Sequence, residues 1–440
     1  RLMFRELLDQ TIADLAGGSG RLGLLFIDLD DFKRINDTLG HDSGDAVLAE
    51  FAERLRRVLS GVEEADLEIK PIVARLGGDE FVALLSGRDI RARCEYLARR
   101  ILENLAAPFE VAGQAFFLSS SIGITLFPDD ARSSRHLLKC GDLAMYQAKL
   151  EGKNGVAWYR DHLTATAEER LQLEQDLRIA LQQDQVAVVY HPVVSMADGQ
   201  VIGAEALLRW RHPVLGDIPP ERFVAVAESS ALINDLGHFV MLRACRDAAE
   251  WQRVQPGLRV GVNVSARQLL RRDLFSQVEE VLRETGLPAD CLTLELTESS
   301  LLHDRALTAE TLARLHARGT NVWLDDFGTG FSGLSHLRQL RVRGVKIDRS
   351  FIADILDDPD DLALTSAIIA MAHSIGMRVV AEGVENTRQW GLLAERGCDF
   401  AQGFLLAPPL PADQVPAFRP DPSLISAQRA GASGSGRSVF

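Results

Sequence analysis

Asn321-Val322-Trp323-Leu324-Asp325-Asp326 is a short apolar run closed by two adjacent carboxylates. Alone it is weak evidence, since the Gly-rich turn that follows it, Phe327-Gly328-Thr329-Gly330, is of a common kind. Its neighbours give it meaning. Eight short apolar runs, Val186–Val194, Val201–Leu208, Leu258–Val264, Leu292–Leu296, Asn321–Leu324, Val345–Ile347, Arg378–Ala381 and Phe400–Phe404, are separated by stretches of helical periodicity. That alternation predicts a (β/α)₈ barrel. Glu205, Asn263, Glu295, Asp325, Asp326, Lys346, Glu382 and Gln402 lie at or near the ends of these strands. In a parallel barrel such ends converge on one face, where barrel active sites are built. Any one strand-end acid reads best as solvated or as a helix cap. Repetition on strand after strand defeats that reading. Crowded carboxylates repel unless cations bind. An all-oxygen set suits Mg²⁺ or Mn²⁺ rather than zinc, and a pair of such ions suits phosphodiester hydrolysis.

The bulk properties set limits on this reading. A chain of 440 residues fits two domains, and 46% hydrophobic with 25% charged residues is globular. The net charge of −14 argues against binding a nucleic-acid polymer, which needs a cationic surface. Cys94, Cys140, Cys245, Cys291 and Cys398 are scattered, odd in number and form no Cys-x-x-Cys pair, as in reduced cytosolic proteins. No apolar run approaches a membrane span and no signal peptide opens the chain, so the expected location is cytoplasmic. The chain starts at Arg1 inside an amphipathic pattern. A sensor region, and any membrane attachment, is expected upstream of Arg1.

Before the barrel, Phe4, Leu7, Leu8, Ile12 and Leu15 recur at helical spacing, and Gly17-Gly18-Ser19-Gly20 breaks the pattern. Strands are expected at Leu22–Asp28, Val73–Leu76, Phe81–Leu85 and Phe116–Thr125. Helices are expected near Ala46–Leu59, Ile90–Leu105 and Ser134–Leu150. The order α-β-α-β-β-α-β-α predicts an α+β domain with helices packed on an antiparallel sheet. Gly77 and Gly78 allow a tight turn. If the flanking strands are neighbours, Asp28 and Asp79 face each other and could hold Mg²⁺ over a triphosphate. The plain alternative, a hairpin whose acids face water, is equally well served by Gly-Gly-Asp-Glu alone.

Longer motifs carry two resemblances. Glu205-Ala206-Leu207-Leu208-Arg209-Trp210, Asn263-Val264-Ser265, Glu295-Leu296-Thr297-Glu298, Asp325-Asp326-Phe327-Gly328, Lys346-Ile347-Asp348 and Ala381-Glu382-Gly383-Val384-Glu385 resemble the EAL family, over about Leu171 to Pro416. The resemblance implies hydrolysis of cyclic di-GMP to linear pGpG, using two divalent metals on a TIM-like barrel with one reversed strand. It implies that Glu205, Asn263, Glu295, Asp325, Asp326 and Glu382 hold the metals. Lys346 would contact the attacking water or a phosphate oxygen, Arg209 would pair with phosphate, and Gln402 would lie near the substrate. Glu298 would brace a loop from Asp326 to Leu337 that often couples dimerisation to metal binding in this family, which implies a homodimer. His191 stands where the family usually has Gln, and Ala225 and Ala231 replace the usual Pro and Gly near Glu228.

Asp28-Leu29-Asp30-Asp31-Phe32-Lys33-Arg34-Ile35-Asn36-Asp37, Gly44-Asp45, Arg75-Leu76-Gly77-Gly78-Asp79-Glu80-Phe81, Tyr146-Gln147-Ala148-Lys149 and Gly152-Lys153-Asn154 resemble the GGDEF family of diguanylate cyclases, from the first residue to about Trp158. That implies a nucleotidyl-cyclase or palm-like α+β fold. Asp28, the Leu29 carbonyl and Asp79 would bind metal, and Glu80 would help activate the 3′-hydroxyl or steady the transition state. Asn36 and Asp45 would hydrogen-bond guanine, and Lys149 and Lys153 would neutralise the triphosphate of GTP. Glu68-Ile69-Lys70-Pro71 stands where the family carries its Arg-x-x-Asp inhibitory site. The expected division is a GGDEF-like domain over 1–158, a helical linker over 159–170, an EAL-like barrel over 171–425 and a disordered tail over 426–440. The expected function is net hydrolysis of cyclic di-GMP, modulated by GTP, with synthesis of cyclic di-GMP left open. The competing expectation is a non-catalytic receptor or scaffold.

Overall fold

A computed structural model describes residues 2–15, 21–60, 71–87, 89–111, 113–302, 305–328, 340 and 342–424. The expected inhibitory-site stretch at 68–70 and the expected tail lie outside them. The chain forms two compact units, Arg1–Leu171 and Gln172–Phe440. Their boundary falls inside one helix, His162–Gln182.

In the first unit the central strand is β1 (Leu22–Leu29), whose eight residues are all buried. The other strands are β2 (Ile72–Gly77), β3 (Glu80–Ser86), β4 (Phe109–Val111), β5 (Gln114–Phe116), β6 (Ser120–Phe127) and β7 (Gly155–Trp158). The main sheet runs β2-β3-β1-β6-β7. Its pairings are antiparallel apart from β6–β7, which is parallel. The expected all-antiparallel sheet is corrected by β7, a four-residue strand too short to show a period. The expected strand Phe116–Thr125 is two elements: β5 forms a separate hairpin with β4, and β6 joins the main sheet. An apolar run does not reveal a break in pairing, and Phe117 at the break is exposed.

Alternation along β1 feeds two cores. Leu25, Ile27 and Leu29 pack with residues of helices His41–Ser60 and Ile90–Leu105. Leu22, Leu24 and Phe26 pack with residues of helices Leu2–Leu15 and Ser134–Leu150. The second contact is close at Gly123. A Cβ there would lie 2.1 Å from the Met145 nitrogen and 2.2 Å from the Gly141 oxygen.

The second unit is a closed barrel. Its strands are β8 (Val186–Ser195), β9 (Val201–His212), β11 (Arg259–Asn263), β12 (Leu292–Thr297), β13 (Asn321–Phe327), β14 (Gly344–Ile347), β15 (Arg378–Ala381) and β16 (Phe400–Ala401). A short strand, β10 (Gly216–Ile218), pairs on β9 outside the ring. The ring runs β9-β11-β12-β13-β14-β15-β16-β8 and closes through β8–β9. β8 is antiparallel to both of its neighbours and is the one reversed strand. The cause is local. Only residues 196–200 separate β8 from β9, and Asp198-Gly199 supplies a tight turn, with Gly199 at φ 71° and the Asp198 carboxylate accepting from the Gln200 N–H. A parallel pair would need a crossover of a dozen residues. Among the described residues no helix is long and apolar enough to cross a membrane.

Gly123→Ala should lower the stability of the first unit by about 1–3 kcal/mol, because the obstructing atoms are backbone and cannot swing aside. An unchanged melting temperature for this variant would refute the close approach.

Candidate active site

One ammonium sits at the centre of the barrel mouth. Lys346 on β14 is 2% exposed. Its Nζ lies 2.8 Å from Glu295 Oε2, 3.0 Å from Glu205 Oε2, 3.3 Å from Asp325 Oδ1 and 2.6 Å from Glu382 Oε1. Four different strands deliver those carboxylates: Glu295 and Asp325 come from near the ends of β12 and β13 and Glu382 from just after β15, whereas Glu205, expected at a strand end, lies inside β9, which runs on to His212 past the barrel mouth. Parallel register sets Asn263 beside Glu295, and Gly261 beside Glu205. Gly261 has no side chain for a reason: a Cβ there would lie 2.1 Å from Glu295 Oε1. Glu382 and Gln402 follow β15 and β16 but stay in the ladder, donating their N–H groups to the Ile347 and Ala381 carbonyls. The amides of Asn263 and Gln402 donate to the two oxygens of Glu205 at 2.7 and 2.9 Å.

Asp325 and Asp326 are consecutive, and in a regular strand they would point to opposite faces. The β13–β14 pairing shifts register between Leu324 and Phe327, and Asp326 has φ 53°. This bulge re-aims the chain. Two overlapping sets of carboxylate oxygens result, Glu205-Glu295-Asp325 and Asp325-Asp326-Glu382, each with its atoms within 4.8 Å of one another. Asp325 belongs to both. The described residues could therefore hold two cations that share one carboxylate.

Donor supply sorts the charge states. Burial alone would lower the Lys346 ammonium, but Glu205, Glu295, Glu382 and Asp325 overcome it and hold it well above the ordinary lysine range. Burial opposes charge on Glu205 too, yet Lys346, Gln402 and Asn263 together bring it below the usual carboxylate value. Glu295 has Lys346 but faces Glu205 and Asp325, and burial drives it well up. Glu382 is raised to about 8, by burial first and then by Asp325 and Glu205 against the pull of Lys346. Asp326 is raised to about 6 by burial, Asp325 and Asp348. Five carboxylates around one ammonium leave an excess of negative charge that oxygen-preferring cations fit.

Other expected residues stand apart. Arg209 is exposed, and its guanidinium donates to the Leu208 carbonyl of its own strand rather than to the cluster. His191 lies opposite Glu205 in the β8–β9 register, and its Nε2 is 3.1 Å from the Ala407 carbonyl. Burial pushes its pKa below the ordinary histidine value, so the ring is neutral at pH 7. Glu298 is 4% exposed and its Oε1 has no partner among the described residues. Residues 329–337 of the loop that it is expected to brace lie outside them. Asp348, to which the sequence points with no role, lies beside Asp326 and helps to raise it. Its spacing of two from Lys346 was the available signal.

In the first unit, β1 and β3 are neighbours, with Asp28 opposite Glu80. Asp28 is raised to about 6 by burial, against its ion pair with Lys149 at 2.6 Å and with help from the nearby Asp79 and Asp30 charges. Arg75 Nε donates to the Gly78 carbonyl at 2.7 Å and fixes the turn, where Gly78 has φ 55°. Lys153 pairs with Asp31 at 2.7 Å. Asn36 packs against helix His41–Ser60: a Cβ on Gly44 would fall 1.9 Å from its Oδ1. Asp45, one residue on, is exposed. Asp30 has a structural role that its motif does not indicate. Its buried carboxylate accepts from the Ser119 and Ser121 hydroxyls and the Asn154 N–H, tying the end of β1 to β6 and to the approach of β7.

Comparison with known proteins agrees with both halves. The family model "EAL domain" matches residues 174–409, and "Diguanylate cyclase, GGDEF domain" matches residues 1–155. "Cyclic di-GMP phosphodiesterase NbdA" of Pseudomonas aeruginosa is 39% identical over 95% of this chain and 52% of its own length. "Bifunctional diguanylate cyclase/cyclic di-GMP phosphodiesterase MucR" of the same organism is 39% identical over 94% of this chain and 59% of its own. The chain thus spans little more than half the length of these relatives. The solved structure "PaMucR Phosphodiesterase, c-di-GMP complex" superposes with a TM-score of 0.54 at 40% identity, covering 55% of this chain and 99% of that one. The chain belongs to the EAL domain family and carries a diguanylate cyclase GGDEF domain ahead of its EAL barrel.

Proposed function

We propose that the barrel hydrolyses cyclic di-GMP to linear pGpG with two divalent cations, Mg²⁺ or Mn²⁺. The single observation that carries this reading is the pair of carboxylate sets that share Asp325 around buried Lys346. Glu205, Asn263, Glu295, Asp325, Asp326 and Glu382 would hold the cations. When bound, these would supply Lewis-acid charge and a water acidic enough to attack phosphorus at neutral pH. Lys346 spaces the carboxylates and offers its ammonium to that water or to a phosphate oxygen. Gln402 and Asn263 keep Glu205 ionised by donating to it. Arg209, with no carboxylate partner among the described residues, is free to meet a substrate phosphate at the rim. Asp348 keeps Asp326 oriented. A receptor without turnover is disfavoured because no metal-ligand position of the family motif is lost.

The GGDEF domain is proposed to bind GTP through Asp28, the Leu29 carbonyl, Asp79, Asn36, Asp45, Lys149 and Lys153, and so to modulate the barrel. Glu80 completes the set needed to join two GTP. That step requires two such domains face to face, and hence a homodimer.

Glu205→Gln should cut pGpG release by more than about a hundredfold with the fold retained. Asp79→Asn should spare hydrolysis and abolish any cyclic di-GMP made from GTP. Chromatography of products after incubation with each nucleotide and Mg²⁺ separates these outcomes, and binding without turnover in both assays would favour a receptor. Removing cations gives a second test. Glu382 and Asp326 have folded-state values raised to about 8 and about 6, above the ordinary ~4 of an unfolded chain. Raised carboxylates contribute stability at acid pH that is lost as pH climbs through the folded value. The chelated protein should therefore melt at falling temperature from about pH 5 to pH 8, and millimolar Mn²⁺ should flatten that slope. A slope indifferent to Mn²⁺ would count against cation binding.

A further inference from the structure

The barrel has a second concave site at the end opposite its carboxylates. A cavity of about 670 Å³ opens among the N-terminal ends of the parallel strands, a size typical of small-molecule pockets. Three arginines surround it, each at or next to a strand start: Arg259 opens β11, Arg343 precedes β14 and Arg378 opens β15. Its apolar wall is an aromatic pair, Trp323 and Phe400, with ring centroids 6.1 Å apart and planes at 41°. Arg378 is held by Asp399. No described carboxylate pairs with Arg259 or Arg343. A lone arginine at a strand start is ordinary solvated surface. Three of them over an aromatic pair, in a chain of net charge −14, form a local exception.

Trp323 is built in firmly. It is 9% exposed, and a Cβ on Gly344 would lie 2.8 Å from its ring, so only glycine fits beneath the indole. Trp323 is also the register partner of Glu295 and sits two residues before Asp325 on the same strand. A small void of about 40 Å³ inside the barrel is lined by Arg259 and Trp323 on one side and by Glu295 and Lys346 on the other. The same two residues that line the outer cavity therefore also adjoin the carboxylate layer.

We propose that this cavity binds a nucleoside phosphate, its base against Trp323 and Phe400 and its phosphate between Arg259 and Arg343. Guanidinium forks match phosphate oxygens, and an aromatic wall offers a face on which a base can stack. The site is distinct from the one proposed to hydrolyse cyclic di-GMP, and its binding does not depend on that reading.

The test uses the full chain with cations chelated, so that neither nucleotide-processing site turns over. GMP is titrated while tryptophan fluorescence is followed, with equilibrium dialysis of labelled GMP in parallel. Cation-independent binding with quenching is expected, and it should persist in Glu205→Gln and Asp79→Asn. Arg259→Ala/Arg343→Ala should weaken it by at least about tenfold. Trp323→Phe should remove most of the quench while dialysis still detects GMP. Guanosine and ribose 5-phosphate, each lacking half of the ligand, should bind more weakly than GMP. All the arginines concerned are exposed, and Arg259→Gln/Arg343→Gln repeats the test if the alanine pair fails to fold. The proposal is overturned by no binding at millimolar GMP, by binding that is unchanged in the arginine variants, or by binding lost in Glu205→Gln.

Discussion

A buried ammonium shared by four carboxylates is the constraint around which the barrel is arranged. Lys346 is 2% exposed, and such a charge is tolerable in an interior only if it is matched. Glu205, Glu295, Asp325 and Glu382 match it from four separate strands. The same contact that permits the lysine also pulls the acids into one layer. Because acids outnumber cations there, the cluster is not neutral by itself, and burial raises those members with the fewest donors. The proposed divalent ions relieve that imbalance. They are therefore a consequence of the charge arrangement as well as a requirement of the proposed chemistry.

The backbone is adjusted to that layer in small ways. Gly261 leaves out a side chain that would collide with Glu295. The β13 irregularity, with Asp326 in a left-handed conformation, lets two adjacent residues serve the same site. Asp348 lies close beside Asp326 and helps to raise it. These features cost local regularity and place it where the acids are needed.

The first unit solves a related problem with fewer charges. Asp28 at the end of a fully buried strand is paired with Lys149, and its neighbour Asp30 is satisfied by two hydroxyls and a backbone N–H. Of two acids two residues apart, the structure binds one into the framework and leaves the other facing a lysine and Asp79. Residue type alone does not distinguish them, because the difference lies in which strand supplies the partners; the motif resemblance does, by giving a role to Asp28.

Much was legible from the order of residues. Alternating strand and helix signals, with acids at successive strand ends, fixed the barrel and gathered its site residues, because strand polarity in a parallel barrel puts all such ends on one face. The Asp198-Gly199 turn between β8 and β9 likewise dictates the reversed strand, since so short a connection allows only an antiparallel pair. Tertiary structure decided the rest. It split the expected strand at 116–125, added the parallel edge β7, put Lys346 at the centre of its carboxylates, and turned Arg209 back onto its own strand. Each of these depends on which distant segment lies alongside, and local pattern carries no information about that. Charge states and the bulge at Asp325-Asp326 belong to the same class, because burial and the count of nearby donors exist only once the barrel has closed.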